Sequence, residues 1–266
     1  MKLRKLLFNI LIVALCFTFL KGTGILVKQY LPLTGLSNIQ KEFLTELLAS
    51  AIVVAGVLIA KKKDVFRFTL EGMKEGLLTG IVMILLSGLL ILSFFFNHDP
   101  ITASAPDIVL FVLFAVLIGI CEEGMFRGIF QNAFHEYFGE ENKKQVVLAI
   151  VTASTVFGLL HFANLLSGAS LLSVTIQALS AIAGGIVFGV VYWNSKKNLW
   201  ACVLIHGFAD GCSFLNDGML SGKTAVDAIN AFSWKNILSI LIYMVIAVAL
   251  LITLSVKKKE NKAEED

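Results

Sequence analysis

At 266 residues, with 57% hydrophobic residues and only three prolines, the chain is too apolar for a soluble globular domain and too long for an isolated anchor. Its mean hydropathy of +0.84 agrees. The net charge is a modest +3, and the lysines fall in short clusters between apolar runs. That pattern points to a lipid bilayer as partner and not to nucleic acid. The expectation is an all-α polytopic membrane protein, one membrane domain over residues 1–266 with an intramembrane polar site.

The chain begins Met-Lys-Leu-Arg-Lys and runs into an apolar stretch from Leu6 to Leu20, as a signal peptide does. No small-x-small cleavage site follows, and Leu15 precedes Cys16 where a lipoprotein site needs a small residue. The stretch therefore reads as an uncleaved first helix. Eight apolar segments follow one another: Leu6–Val27, Phe43–Ala60, Leu77–Phe96, Ile108–Gln131, Val146–Ala163, Leu171–Trp193, Leu199–Asn216 and Ile237–Val256. Most approach the ~20 residues needed to cross the hydrocarbon core. Lys21 interrupts the first, where a lysine near a helix end can snorkel.

With a cytoplasmic N-terminus, 17 of the 22 Lys and Arg fall in inner regions, which supports eight spans with both termini cytoplasmic. Ser104-Ala-Pro-Asp107 has a capping pattern, with proline in the first turn, ahead of the fourth span. Residues 131–144 are amphipathic, so that helix is expected to run past the membrane or bend along its surface. In the sixth span Ala181, Gly185 and Gly189 recur every four residues, a face on which another helix can pack closely. Cys16, Cys121, Cys202 and Cys212 lie in apolar runs without a C-x-x-C pair and read as packing residues. Residues 257–266 form a charged cytoplasmic tail without expected structure.

One stretch breaks the apolar pattern. Ile118-Gly-Ile-Cys-Glu-Glu-Gly-Met-Phe-Arg-Gly128 puts Glu122, Glu123 and Arg127 inside a span. An ionisable residue there costs at least a few kcal/mol, so it marks a functional hypothesis. Glu123 and Arg127 are four apart on one helical face and can pair. Glu122 lies ~140° further round than Arg127 and is the carboxylate left free. His161 closes the fifth span, with Asn164 just beyond, and His206 lies in the seventh, one turn before Asp210. The other histidines, His98 and His135, read as surface residues. Packing alone would not require a free carboxylate, a buried pair and two histidines from three spans, so a site is the better explanation.

Glu122-Glu-Gly-Met-Phe-Arg127, Phe157-x-x-x-His161 and His206-x-x-x-Asp210 resemble, in order and spacing, the three motifs of the CAAX protease and bacteriocin-processing family. These are intramembrane endopeptidases that include the eukaryotic type II CAAX prenyl endopeptidase. The motif-bearing core is about residues 108–216. Asp210 stands where the family commonly has Asn, which changes local charge and donors. The resemblance implies that Glu122 and His161 activate a water against a peptide carbonyl, and that His206 and Asp210 stabilise the oxyanion or complete a metal site. Glu123, Arg127, Phe157 and Asn164 would support it.

Two versions stay open. In one, His161, His206 and Glu122 hold a divalent metal such as zinc, with an open position for water. In the other, Glu122 acts directly as base and His206 donates to the oxyanion. The metal-dependent version is slightly preferred. The substrate class is a peptide or small membrane protein, and the eukaryotic relative implies a site facing the cytoplasm. The alternative is a non-catalytic bacteriocin-immunity partner on the same fold. A proton-coupled carrier is the third reading, but no matching pair of interrupted helices supports it.

Overall fold

Serine, threonine and asparagine side chains set where the helices begin. The computed structural model describes residues 1–30, 35–97, 100–231 and 234–256, and helix is the regular structure throughout them. Helix α1 spans Lys2–Tyr30. Helix α2, Asn38–Ile59, starts from Ser37, which caps the Gln40 amide while Gln40 reaches back to the Ser37 backbone. Helices α3 (Leu70–Thr79) and α4 (Ile81–Asn97) follow, then α5 (Ala105–Glu123). As expected, the Ser104 side chain accepts from Asp107, with proline in the first turn.

The chain then changes register. Gly124–Gln131 is a π-helix, and it continues into α6, Asn132–Phe138. Gly139, at φ +98°, ends this long rod, and Asn142 caps α7, Lys143–Leu160. A 3₁₀ stretch, His161–Ser167, precedes α8, Leu171–Asn194. Helices α9 (Leu199–Asn216), α10 (Ala225–Asn230) and α11 (Trp234–Thr253) complete the described chain.

All eight apolar segments are helical, but they do not all qualify as straight spans. Among the described residues, six helices are long and apolar enough to cross a bilayer. The third segment is a pair, Leu70–Thr79 and Ile81–Phe96, bent by 66°. The break is at Gly80, which lies so close to α9 that a Cβ there would come within 2.5 Å of Ile205 Cδ1. In the last apolar helix the stretch Ile237–Thr253 falls just short of the length of the six. Of residues 131–144, those up to Phe138 continue the helix of the fourth segment, and the chain breaks at Gly139 before α7 begins at Lys143.

The two ends of the bundle differ in chemistry. At one end Lys62 pairs with Glu136, Lys197 with Glu140 at 2.5 Å and Lys196 with Glu71 at 2.5 Å. The α11 terminus joins them there, since Lys143 donates to Ile252 O at 2.6 Å. At the other end Asp107 accepts from Ser37 and Gln40, and Asn38 donates to Gly222 O. Asn230 accepts from the Ser170 amide there at 2.8 Å.

Between these ends, α5 with its π extension, α8 and α9 form the centre. Helices α1, α4 and α11 turn residues such as Leu7, Phe8, Leu85, Leu89, Leu241 and Val245 outward. An apolar outer surface of this extent suits lipid contact.

Two readings are corrected. His135 is not on the surface. It is 1% exposed, packed on Trp193 with ring centroids 5.1 Å apart, because the helix carrying it continues into the bundle and does not become a loop. Lys21 does not simply snorkel: its Nζ donates to Asn164 Oδ1 at 2.8 Å. His98 and the tail 257–266 lie outside the described residues. The cysteines are free and buried.

The small-residue faces set how closely helices approach. A Cβ on Gly185 would sit 3.0 Å from Ser154 Cβ, and one on Gly189 2.6 Å from Ile150 Cγ2, so α8 packs on α7 as the glycine spacing predicts. Gly119 is tighter, since its Cβ would fall 2.4 Å from the Val203 carbonyl oxygen of α9. Backbone cannot give way there. Gly119→Val is expected to lower the Tm of the detergent-solubilised protein or prevent its folding, an overpacking cost of at least ~1–3 kcal/mol. Gly88→Ala, which meets nothing within 4 Å, is expected to leave Tm unchanged.

Candidate active site

Arg127 organises the centre of the bundle. Its Nη1 donates to Glu123 Oε1 at 2.7 Å and its Nη2 to Gly185 O at 2.8 Å. The guanidinium lies over the rings of Phe157 and Phe188, 5.2 and 5.3 Å from their centroids. Glu123 is 0% and Arg127 1% exposed. Two ions so deep are tolerable only because each is paired and hydrogen-bonded. The i,i+4 pair is the one the spacing predicts. The Gly185 carbonyl is a second use of the small-residue face, because a glycine lets the arginine reach the backbone.

The π register next to this pair has its own support. Asn132 Nδ2 lies 3.2 Å from Arg127 O and 3.0 Å from Gly128 O, two carbonyls of the widened segment, and 2.7 Å from the Tyr192 hydroxyl. Gln131 donates to Gly189 O at 3.1 Å. These contacts lock the helix segment that carries the first motif onto α8.

His206 projects from α9 into the same place. Its Nδ1 is 2.6 Å from Glu123 Oε1, and its Nε2 is 3.4 Å from Glu122 Oε2 and 3.5 Å from Asp210 Oδ2. The ring stacks on Phe188 at 4.7 Å. With carboxylate oxygens at both nitrogens, the ring is placed to donate twice, as an imidazolium does. Glu123, and not Asp210, is therefore the closest group orienting His206. The sequence paired Glu123 with Arg127 but did not show that one oxygen serves both. Glu123 Oε2 has no protein partner among the described residues. Glu122 is not held by Arg127, as expected, and 28% of its side chain is accessible.

His161 begins the 3₁₀ stretch after α7. Its Nδ1 lies 3.0 Å from Phe157 O. The tautomer that donates there leaves Nε2 with a lone pair. The Phe157 ring meets both imidazoles edge-on, at 4.8 Å from His161 and 6.3 Å from His206. The three motifs thus converge, with Phe157 between the histidines. Asn164 stands apart. It donates to Gln177 at 2.8 Å while accepting from Lys21, so it ties the segment after His161 to α1 and α8.

Sequence reasoning missed Glu46. It comes from α2 and lies within electrostatic reach of Cys121, Glu122 and Asp210. Its signal was present: Glu42 and Glu46 stand four apart at the start of an apolar run, the irregularity that singled out Glu122.

The donor set does not fit a metal. Among the described residues no three His, Cys, Asp or Glu side chains are arranged to hold an ion. No step below is routed through a metal.

Removing one partner of the Glu123–Arg127 pair leaves an unpaired buried ion. Arg127→Met is expected to destabilise the detergent-solubilised protein by ~3–5 kcal/mol. Combining it with Glu123→Gln should recover part of that loss in the same denaturation assay, because no buried charge is then stranded.

A search of curated proteins returns no match. Residues 102–212, a segment that contains all three motifs, match the family described as type II CAAX prenyl endopeptidase Rce1-like, which bears out the resemblance those motifs carry.

Proposed function

We propose that the chain is an intramembrane endopeptidase in which Glu122, His161, His206 and Asp210 carry the chemistry. The observation that supports this most is the 3.4 Å approach of Glu122 Oε2 to His206 Nε2 beside a fully buried Glu123–Arg127 pair. A free carboxylate and a fixed imidazole from different helices meet where little else needs charge.

In this reading a water lies between Glu122 and the Nε2 of His161. One of these takes its proton as the oxygen attacks the peptide carbonyl. Negative charge then develops on the carbonyl oxygen. The Nε2 proton of His206 faces two carboxylate oxygens at 3.4 and 3.5 Å, both too long for strong hydrogen bonds, so it is available to that oxyanion. Glu123 holds the ring through Nδ1, which fixes the direction of the donor. Asp210, in place of an amide, sets a carboxylate oxygen 3.5 Å from Nε2 of the same ring. Collapse of the tetrahedral intermediate gives the leaving amine the proton taken from the water, so the group that acted as base, Glu122 or His161, now acts as acid. Glu123, Arg127 and Phe157 position these groups and do not touch substrate. The substrate class is a peptide or small membrane protein. The lysine bias supports a multi-pass arrangement in the cell membrane with both termini cytoplasmic.

The test is comparative peptidomics of membranes holding wild-type, Glu122→Gln, His161→Ala or His206→Ala protein. Each variant is expected to lose at least ~10²-fold in product formation, the scale of a general acid–base contribution. Unchanged processing in all three would overturn the proposal and favour the non-catalytic immunity-partner reading.

A further inference from the structure

Among the described residues, Gly184 is the one buried glycine at which an added Cβ would meet no heavy atom within 4 Å. Its neighbours in α8 behave differently. A Cβ on Gly185 or Gly189 would run into α7, so those glycines serve close helix packing. A glycine inside a helix is less favourable than an alanine. At Gly184 no helix approach offsets that cost, and the missing side chain leaves open space in the bundle interior.

The space lies next to the reactive groups. Helices α8 and α9 are joined by the short turn 195–198 and run antiparallel, with Cys202 Sγ 3.5 Å from Phe188 O. Phe188 stacks on His206. One turn back along α8 from Phe188 is Gly184, on the same face, and one turn on along α9 from His206 is Asp210. Gly184 and Asp210 therefore stand at one level, ~5.4 Å beyond the stacked rings. Asp210 and Glu122 keep 34% and 28% of their side chains accessible, so the space adjoins the open side of the site.

We propose that Gly184 is the floor of a subsite that receives an aliphatic side chain of the substrate, next to the scissile bond. This rests on the peptidase reading and deepens it. With the scissile carbonyl against His206 Nε2, an extended peptide advances ~3.3 Å per residue, so a residue flanking the cleaved bond reaches the level of Gly184. The neighbours of Gly184 on that face of α8 are the Phe188 ring and the half-buried Ala181, both apolar. Gln177, further along, is committed to Asn164 at 2.8 Å. An aliphatic group gains by burial there, whereas a polar one would lose its hydrogen bonds to water.

The test fills the space in steps with Gly184→Ala, Gly184→Val and Gly184→Leu in the full chain. Gly184→Ala is expected to keep or raise the Tm of the detergent-solubilised protein, and a lower Tm would show that the space is absent and overturn the proposal. Comparative peptidomics of membranes then reads the residues flanking each cleavage. Wild-type cleavages are expected to favour Val, Leu, Ile or Met at one flanking position. Gly184→Val and Gly184→Leu should lower those products at least ~10-fold relative to products with Gly or Ala there, the scale of methylene discrimination in an apolar pocket. Gly88→Val, away from the site, should keep the wild-type preference. No aliphatic preference in the wild type, the same preference in Gly184→Leu, or an equal loss of every product would overturn the proposal. Products that persist in Glu122→Gln would remove the peptidase reading and this subsite together, whereas products lost in Glu122→Gln with an unchanged preference in Gly184→Leu would remove the subsite alone.

Discussion

A single buried carboxylate oxygen holds the centre of this protein together. Glu123 Oε1 accepts from Arg127 of its own helix rod and faces Nδ1 of His206 from α9, at 2.7 and 2.6 Å. Arg127 in turn reaches the Gly185 carbonyl of α8. One acidic group thus ties three helices at a depth where unpaired charge would be costly. The orientation of His206 follows from this tie. So does the position of Glu122, because consecutive helical residues point ~100° apart and only one of two adjacent glutamates can face the arginine.

Much of the arrangement was legible in the sequence, and the reasons are local. The caps at Ser104 and Ser37, the i,i+4 pair and the glycine spacing of α8 depend on contacts within a turn or between regular helix faces. The convergence of Glu122, Phe157, His161, His206 and Asp210 was carried by the motifs. The shared use of Glu123 was not readable, because it depends on how α9 is rotated against α5, and rotation is set by packing such as Gly119 against Val203. The burial of His135 was missed for a related reason. A polar-looking stretch after a span resembles a loop until its apolar face finds a partner, here Trp193.

The π segment was also hidden. No residue type encodes it by itself, and its carbonyls are satisfied by Asn132 and its neighbours only in three dimensions. Its effect is to widen one turn beside the arginine while Glu123 and Arg127 keep their contact. Glu46 was missed differently: the rule that found Glu122 applies to it equally, but α2 carries no motif to draw attention there.

The spacing of Glu123 and Arg127 has a consequence for biogenesis. Both ions belong to one continuous rod, so Glu123 and Arg127 can enter the bilayer as a neutral pair before α8 or α9 has been synthesised. The histidines and Asp210 come later in the chain and dock onto a charge pair already in place. Assembly of the reactive groups is thereby separated from the transfer of buried charge into lipid, and the more costly of the two events needs only residues from a single hairpin-free segment.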